Sequence, residues 1–193
     1  MFSRWPIRVL LTGTVLFGVG IGLLMAAIPN QGRTQFFGSS GGNVNDISKS
    51  FCCSGTLGSL VKDSSLQYIL SNNHVLADTD QAAPGQNISQ PGLVDNNCRP
   101  ATTVAHFTVA PHLGTNVDAA LAKLVAGTMN SGGSILGVGV PNPTTVSAKI
   151  NMGVAKSGRT TGLTCGSVQS VNTSVKVQYQ KGCNQGLKRT NLT

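Results

Sequence analysis

The chain has 193 residues, 24 of them Gly and only 10% charged; it contains no Glu, and its formal net charge is +8. That length buries a real core as one domain or two small ones, while the scarcity of Glu and Lys beside abundant Val, Thr, Ser, Asn and Gly argues for short strands and many turns rather than helices. The positive balance does not point to nucleic acid: Lys and Arg are spread singly apart from Lys188-Arg189, and aromatic residues for base stacking are few.

The first 28 residues have the character of a targeting segment. Arg4 and Arg8 supply a positive start, and Val9 to Ile28 is an uncharged, largely apolar run. Its 20 residues are long for a signal-peptide core and long enough to span a bilayer. Two readings stay open, a cleaved export signal, which is favoured, and an uncleaved anchor formed by residues 9–28. Both put the remainder outside the cytoplasm. Residues 29–50, rich in Pro, Gly, Ser and Asn, are expected to be a linker with little to bury.

Strand-like stretches follow. Cys53–Val61 and Leu66–Ser71 flank the polar turn Lys62-Asp63-Ser64-Ser65 and are expected to form a hairpin. A loop rich in Asp, Asn, Pro and Gly runs from Asp78 to Pro100, with a short edge strand expected over Gln86–Gln90. Ala101–Ala110 and Asp118–Val125 are two further strands joined through Pro111-His112-Leu113-Gly114, although AALAKLVA fits a short helix equally well. After a turn-rich zone from Gly127 to Pro143 come Ala148–Lys156, Cys165–Val171 and Val175–Gln180. In the last of these, Val175, Val177 and Tyr179 share one face. No internal repeat is present, and many short, evenly spaced strands point to a barrel or sandwich.

Five cysteines (Cys52, Cys53, Cys98, Cys165 and Cys183) fit an oxidising compartment. No CxxC spacing occurs, which argues against zinc. Cys98 can meet Cys52 or Cys53, and Cys165 can meet Cys183 across neighbouring strands. The odd count leaves one cysteine over, and connectivity stays open.

The candidate chemistry lies in two segments. YILSNNHVLA places His74 at the end of an apolar strand, and NVDAALAKL places Asp118 at the start of another, 44 positions later. A histidine base held in one tautomer by a buried carboxylate needs this convergence of strand ends. Together with SGTLGSLV (Ser54 to Val61) and VAKSGRTTGLTCGSV (Val154 to Val168), these segments resemble the bacterial trypsin-like serine proteases of chymotrypsin fold, over roughly residues 51 to 180. The resemblance implies an all-β, chymotrypsin-like double β-barrel, with residues 51–140 as the first barrel and 141–193 as the start of a second, incomplete in this chain. It implies a Ser-His-Asp triad in which His74 is the base and Asp118 its orienting acid. It also implies a polypeptide substrate and no cofactor.

Two departures from that pattern stand out. Val75 and Leu76 follow His74, where many relatives carry a Cys. No Gly-Asp-Ser-Gly motif is present: the pattern places the nucleophile roughly 90 residues after the Asp, and 75 residues follow Asp118 here. Ser131, Ser134 and Cys165 lie much too soon to replace it. His106, in an alternating strand, and His112, in a turn, are expected to be structural. Asp78 and Asp80 are expected to be solvated loop residues. The expectation is an exported serine endopeptidase lacking its nucleophile and inactive as written. The rival reading is a non-catalytic exported binding protein on the same scaffold.

Overall fold

The computed structural model describes residues 35–114, 116–180, 183 and 187–192. The expected targeting segment, residues 1–28, lies outside them. Among the described residues, no helix is long and apolar enough to cross a membrane.

The protein is all-β, as the sequence predicts. In chain order its strands are β1 (Ser39–Asn43), β2 (Gly55–Leu57), β3 (Ser59–Asp63), β4 (Leu66–Ser71), β5 (Asn87–Gln90), β6 (Thr102–Val109), β7 (Ala120–Leu124), β8 (Gly153–Gly158), β9 (Gly162–Ser167), β10 (Val175–Gln180) and β11 (Leu187–Leu192). One helical turn, α1 (Asn73–Leu76), and a 3-10 turn over Leu93–Asn96 interrupt them.

The first seven strands form one antiparallel sheet in the order β2-β1-β5-β6-β7-β4-β3. β2 and β3 are two halves of one stretch, interrupted only at Gly58. β2 pairs with β1 and β3 pairs with β4, so the two ends of the sheet are joined by chain and the sheet closes into a barrel. Gly58 permits the bend because a Cβ there would lie 2.6 Å from the Leu70 carbonyl oxygen. A hydrogen bond from Ser71 Oγ to the Thr56 carbonyl, 2.6 Å, ties the end of β4 to β2 across the bend. Inward-pointing Leu57, Ile69, Ile88, Val104, Phe107 and Ala122 fill the barrel and are buried.

The expected hairpin over residues 53–71 is present, with Asp63 opposite Leu66 and only Ser64-Ser65 in the turn. AALAKLVA resolves as strand β7, because β4 and β6 flank it on both sides.

Two expectations require correction. Residues 39–43 belong not to a linker but to a fully buried strand, β1, so the barrel begins before residue 51. SSGGN has no large side chain to signal burial. Its smallness is the reason it is buried, since a Cβ on Gly41 would collide with the Leu57 side chain. β5 is consequently not an edge strand, because β1 and β6 pair with its two sides.

Beyond the barrel, β8 pairs with β9 and β10 with β11 as two separate hairpins. The GRTTGLT run forms the β8–β9 turn, where Gly158 opposes Gly162 and Arg159 reaches back to Asp95 through two 2.6 Å hydrogen bonds. The disulfides are Cys52–Cys98 and Cys53–Cys183, while Cys165 is free and exposed. The pairing of Cys165 with Cys183 is thus replaced by a link from the first barrel to the end of the β10 strand.

Candidate active site

The antiparallel register of β4 and β7 brings the two candidate residues together. Ser71 stands opposite Ala120, so chain continuing past β4 and chain entering β7 emerge at the same end of the barrel. His74 lies three residues beyond Ser71 on α1, and Asp118 lies two residues before Ala120. His74 Nδ1 and Asp118 Oδ2 are 2.8 Å apart. Because an ionised carboxylate only accepts, Nδ1 carries the proton and Nε2 is left as the basic nitrogen. The Asp118 side chain is 9% exposed and that of His74 is 44% exposed, so the carboxylate is sheltered while the imidazole remains open to solvent.

Asp118 gathers further donors. Tyr179 Oη donates to Oδ2 at 3.0 Å, Asn72 Nδ2 donates to Oδ2 at 3.2 Å, and the His74 amide reaches Oδ1 at 3.4 Å. Burial pushes the Asp118 carboxyl up, but the bonds and charge from His74 and the Tyr179 hydroxyl outweigh it and leave the group below its ordinary value. The Tyr179 hydroxyl is pushed up to about 12, by its burial and by the neighbouring Asp118 carboxylate.

The two asparagines before His74 have different tasks. Asn72 holds Asp118 through side-chain bonds to its carboxylate and to its carbonyl, the latter at 3.1 Å. Asn73 is buried and donates to Asp80 Oδ1 and the Pro111 carbonyl, both at 2.8 Å, while accepting from the Asp80 amide at 3.0 Å. Asp80 also accepts from the Leu113 amide. Asp80 is therefore not a solvated loop residue but a brace that joins the turn carrying His74 to the loop before Asp118.

Asp78 departs from its expectation as well. Its carboxyl faces that of Asp46, and one oxygen of each is buried without a hydrogen-bond partner. Desolvation and the charge of Asp46 push Asp78 up to about 7, and desolvation also raises Asp46. The sequence does not single out Asp46, since its neighbours read as linker.

A cleft of about 420 Å³ beside His74 is lined by residues that include Asp46, Ser54, Thr79, Val177 and Tyr179. Among the described residues, no serine, threonine or cysteine side chain hydrogen-bonds to His74. Ser54 Oγ is committed, donating to the Cys53 carbonyl and accepting from the Val94 amide. Ser131, Ser134 and Cys165 do not line the cleft. Potential metal-ligand atoms of Asp46, Cys53 and Cys183 lie within 4.8 Å of one another, but the two sulfurs are bonded to each other and are not free thiolates. His106 is exposed on β6. His112 is exposed in the turn, 3.7 Å from Asp80.

Tyr179 is another site residue that the sequence does not reveal. Its place on the inward face of β10 is legible from the alternation of Val175, Val177 and Tyr179, but its partner is not.

No family model matches the chain, and no curated protein matches it. Among solved structures it is similar to a glutamic-acid-specific serine protease described as using a novel histidine triad in substrate binding. That likeness has 19% sequence identity, covers 81% of this chain and 69% of the other, and has a TM-score of 0.49.

Proposed function

We propose that this chain carries the base and acid of an exported serine endopeptidase of chymotrypsin-like, double-barrel fold. The observation that carries the reading is the 2.8 Å His74–Asp118 contact at the open end of a closed antiparallel barrel, with the acid sheltered and the base exposed. In the intact enzyme His74 accepts the serine proton as the hydroxyl attacks the scissile carbonyl, then returns it to the leaving amine. Asp118 holds the Nδ1–H tautomer and stabilises the imidazolium. The reaction needs no cofactor, and its substrate is a polypeptide.

Exposed apolar side chains gather in the part of the chain that follows the first barrel. Val140 is 66% exposed and Val146 76%, and Ile150, Val154, Leu163 and Val175 are exposed too. Of these, Val154, Leu163 and Val175 lie on the two hairpins and Val140, Val146 and Ile150 on the stretch before them, and such residues fit a face that another surface covers. Export is supported by the apolar N-terminal run and by two disulfides.

As written, the chain is inert, since loss of the nucleophile from such a triad costs about 10⁶ in rate. Purified chain treated with a serine-directed fluorophosphonate probe stays unlabelled, and labelling overturns this reading. The second reading, a non-catalytic binding protein, is kept because no hydroxyl or thiol among the described residues is bonded to His74. The coding DNA beyond codon 193 separates the two: a Gly-Asp-Ser-Gly stretch in any frame supports the peptidase, and an unrelated gene directly after a true stop supports the binding protein.

A further inference from the structure

We propose that Tyr179 is a positioning residue for the His74–Asp118 pair, delivered by the β10–β11 hairpin and held in place by the Cys53–Cys183 disulfide. The inference rests on the reading of that pair as an acid and a base.

Three features lead to it. First, the phenol is aimed. Along β10, Val175 is exposed, Val177 is half-buried and Tyr179 is 8% exposed, so the strand descends into the cleft and ends on Asp118. The Tyr179 hydroxyl donates to the same carboxylate oxygen that His74 Nδ1 uses, and the two rings lie 5.6 Å apart at 43°. A carboxylate bonded from His74, Asn72 and Tyr179 has its rotamer fixed from three directions, and Tyr179 is the one of these donors that comes from outside the barrel.

Second, the strand is tethered. Cys183, four residues beyond Tyr179, is buried and bonded to Cys53, two residues before β2. Third, Asp46 grips both half-cystines: its carbonyl accepts from the Cys53 amide at 3.0 Å, and its side chain accepts from the Cys183 amide. The tether thus restrains the end of a hairpin whose strands, among the described residues, pair only with each other.

Paired titrations of the full chain test the proposal. Tyr68 and Tyr179 are its two tyrosines, so a Tyr68→Phe background isolates the Tyr179 phenolate absorbance. Asp118→Asn is expected to move the Tyr179 midpoint down by roughly one unit or more, because the acceptor loses its charge. Conversely, Tyr179→Phe, which removes one oxygen and keeps the ring, is expected to raise the Asp118 midpoint by roughly half a unit to one unit in carboxyl NMR. A tyrosine that merely packs would leave the Asp118 titration where it is, and that result overturns the positioning role. Replacing Cys53 and Cys183 together by Ser is expected to lower the Tyr179 midpoint toward the free-phenol value of about 10. An unchanged midpoint overturns the tether. These readouts report coupling between Tyr179 and Asp118 whether or not a nucleophile exists elsewhere, so their failure is distinguishable from failure of the peptidase reading.

Discussion

At the scale of single residues, the site is a set of buried polar groups whose partners are assigned with little to spare. Asn73 illustrates this, because its amide is satisfied on both sides by Asp80 and the Pro111 carbonyl. Asn73→Ala strands those groups and is expected to cost about 1–3 kcal/mol in urea unfolding, while loosening the turn that carries His74. Asp78 makes the opposite case. Its folded-state carboxyl sits at about 7, above an ordinary carboxyl. Its contribution to stability is therefore fully present below about pH 4 and is lost as pH rises through 7. Asp78→Asn keeps a residue that tolerates the positive φ of 48° at this position. It is expected to raise the thermal midpoint at pH 8 and to leave it nearly unchanged at pH 4. Asp118 has the reverse sign. Its carboxyl lies below the ordinary value, so its contribution is present above about pH 4 and disappears as the solution is acidified further. Acid unfolding of Asp118→Asn is accordingly expected to be shallower than that of the natural chain.

At the scale of elements, the position of the site follows from one register. Ser71 opposite Ala120 determines that the ends of β4 and β7 project His74 and Asp118 into the same space. That pairing is nearly legible in the sequence, because both strands are apolar and the motif residues flank them. β1 is the contrary example. SSGGN carries no hydrophobic signal, yet every residue is buried and the strand joins β2 to β5 to complete the barrel. Gly41→Ala drives a methyl group into Leu57 and is expected to destabilise by about 1–3 kcal/mol. A shift in the urea midpoint with an unchanged slope would show that the fold is retained. Had residues 39–43 been a linker, the substitution would be silent.

At the scale of the whole molecule, the contacts that join the barrel to the later hairpins include the Arg159–Asp95 bidentate pair, a 2.9 Å hydrogen bond from the Arg159 amide to Thr56 Oγ1, a 3.3 Å hydrogen bond from Ser157 Oγ to the Gly38 carbonyl, the Tyr179–Asp118 bond and the Cys53–Cys183 disulfide. The intervening stretch from Pro141 to Ile150 is exposed throughout and includes Lys149. Brief digestion with a lysine-cleaving protease is expected to cut after Lys149 and to give two fragments on a reducing gel that migrate as one species without reductant. Separation without reductant would argue against the disulfide. The sequence by itself determined the all-β character, most of the strands, and the placement of His74 and Asp118 at strand ends, because alternation, turn chemistry and apolar runs act over a few neighbouring residues. Only the tertiary structure decided that SSGGN is a strand, that Asp46 and Asp78 face one another, that Cys53 takes Cys183, and that Tyr179 completes the shell around Asp118. Those contacts join residues that are remote in the chain, and their partners are selected by barrel closure and packing rather than by any local pattern of side chains.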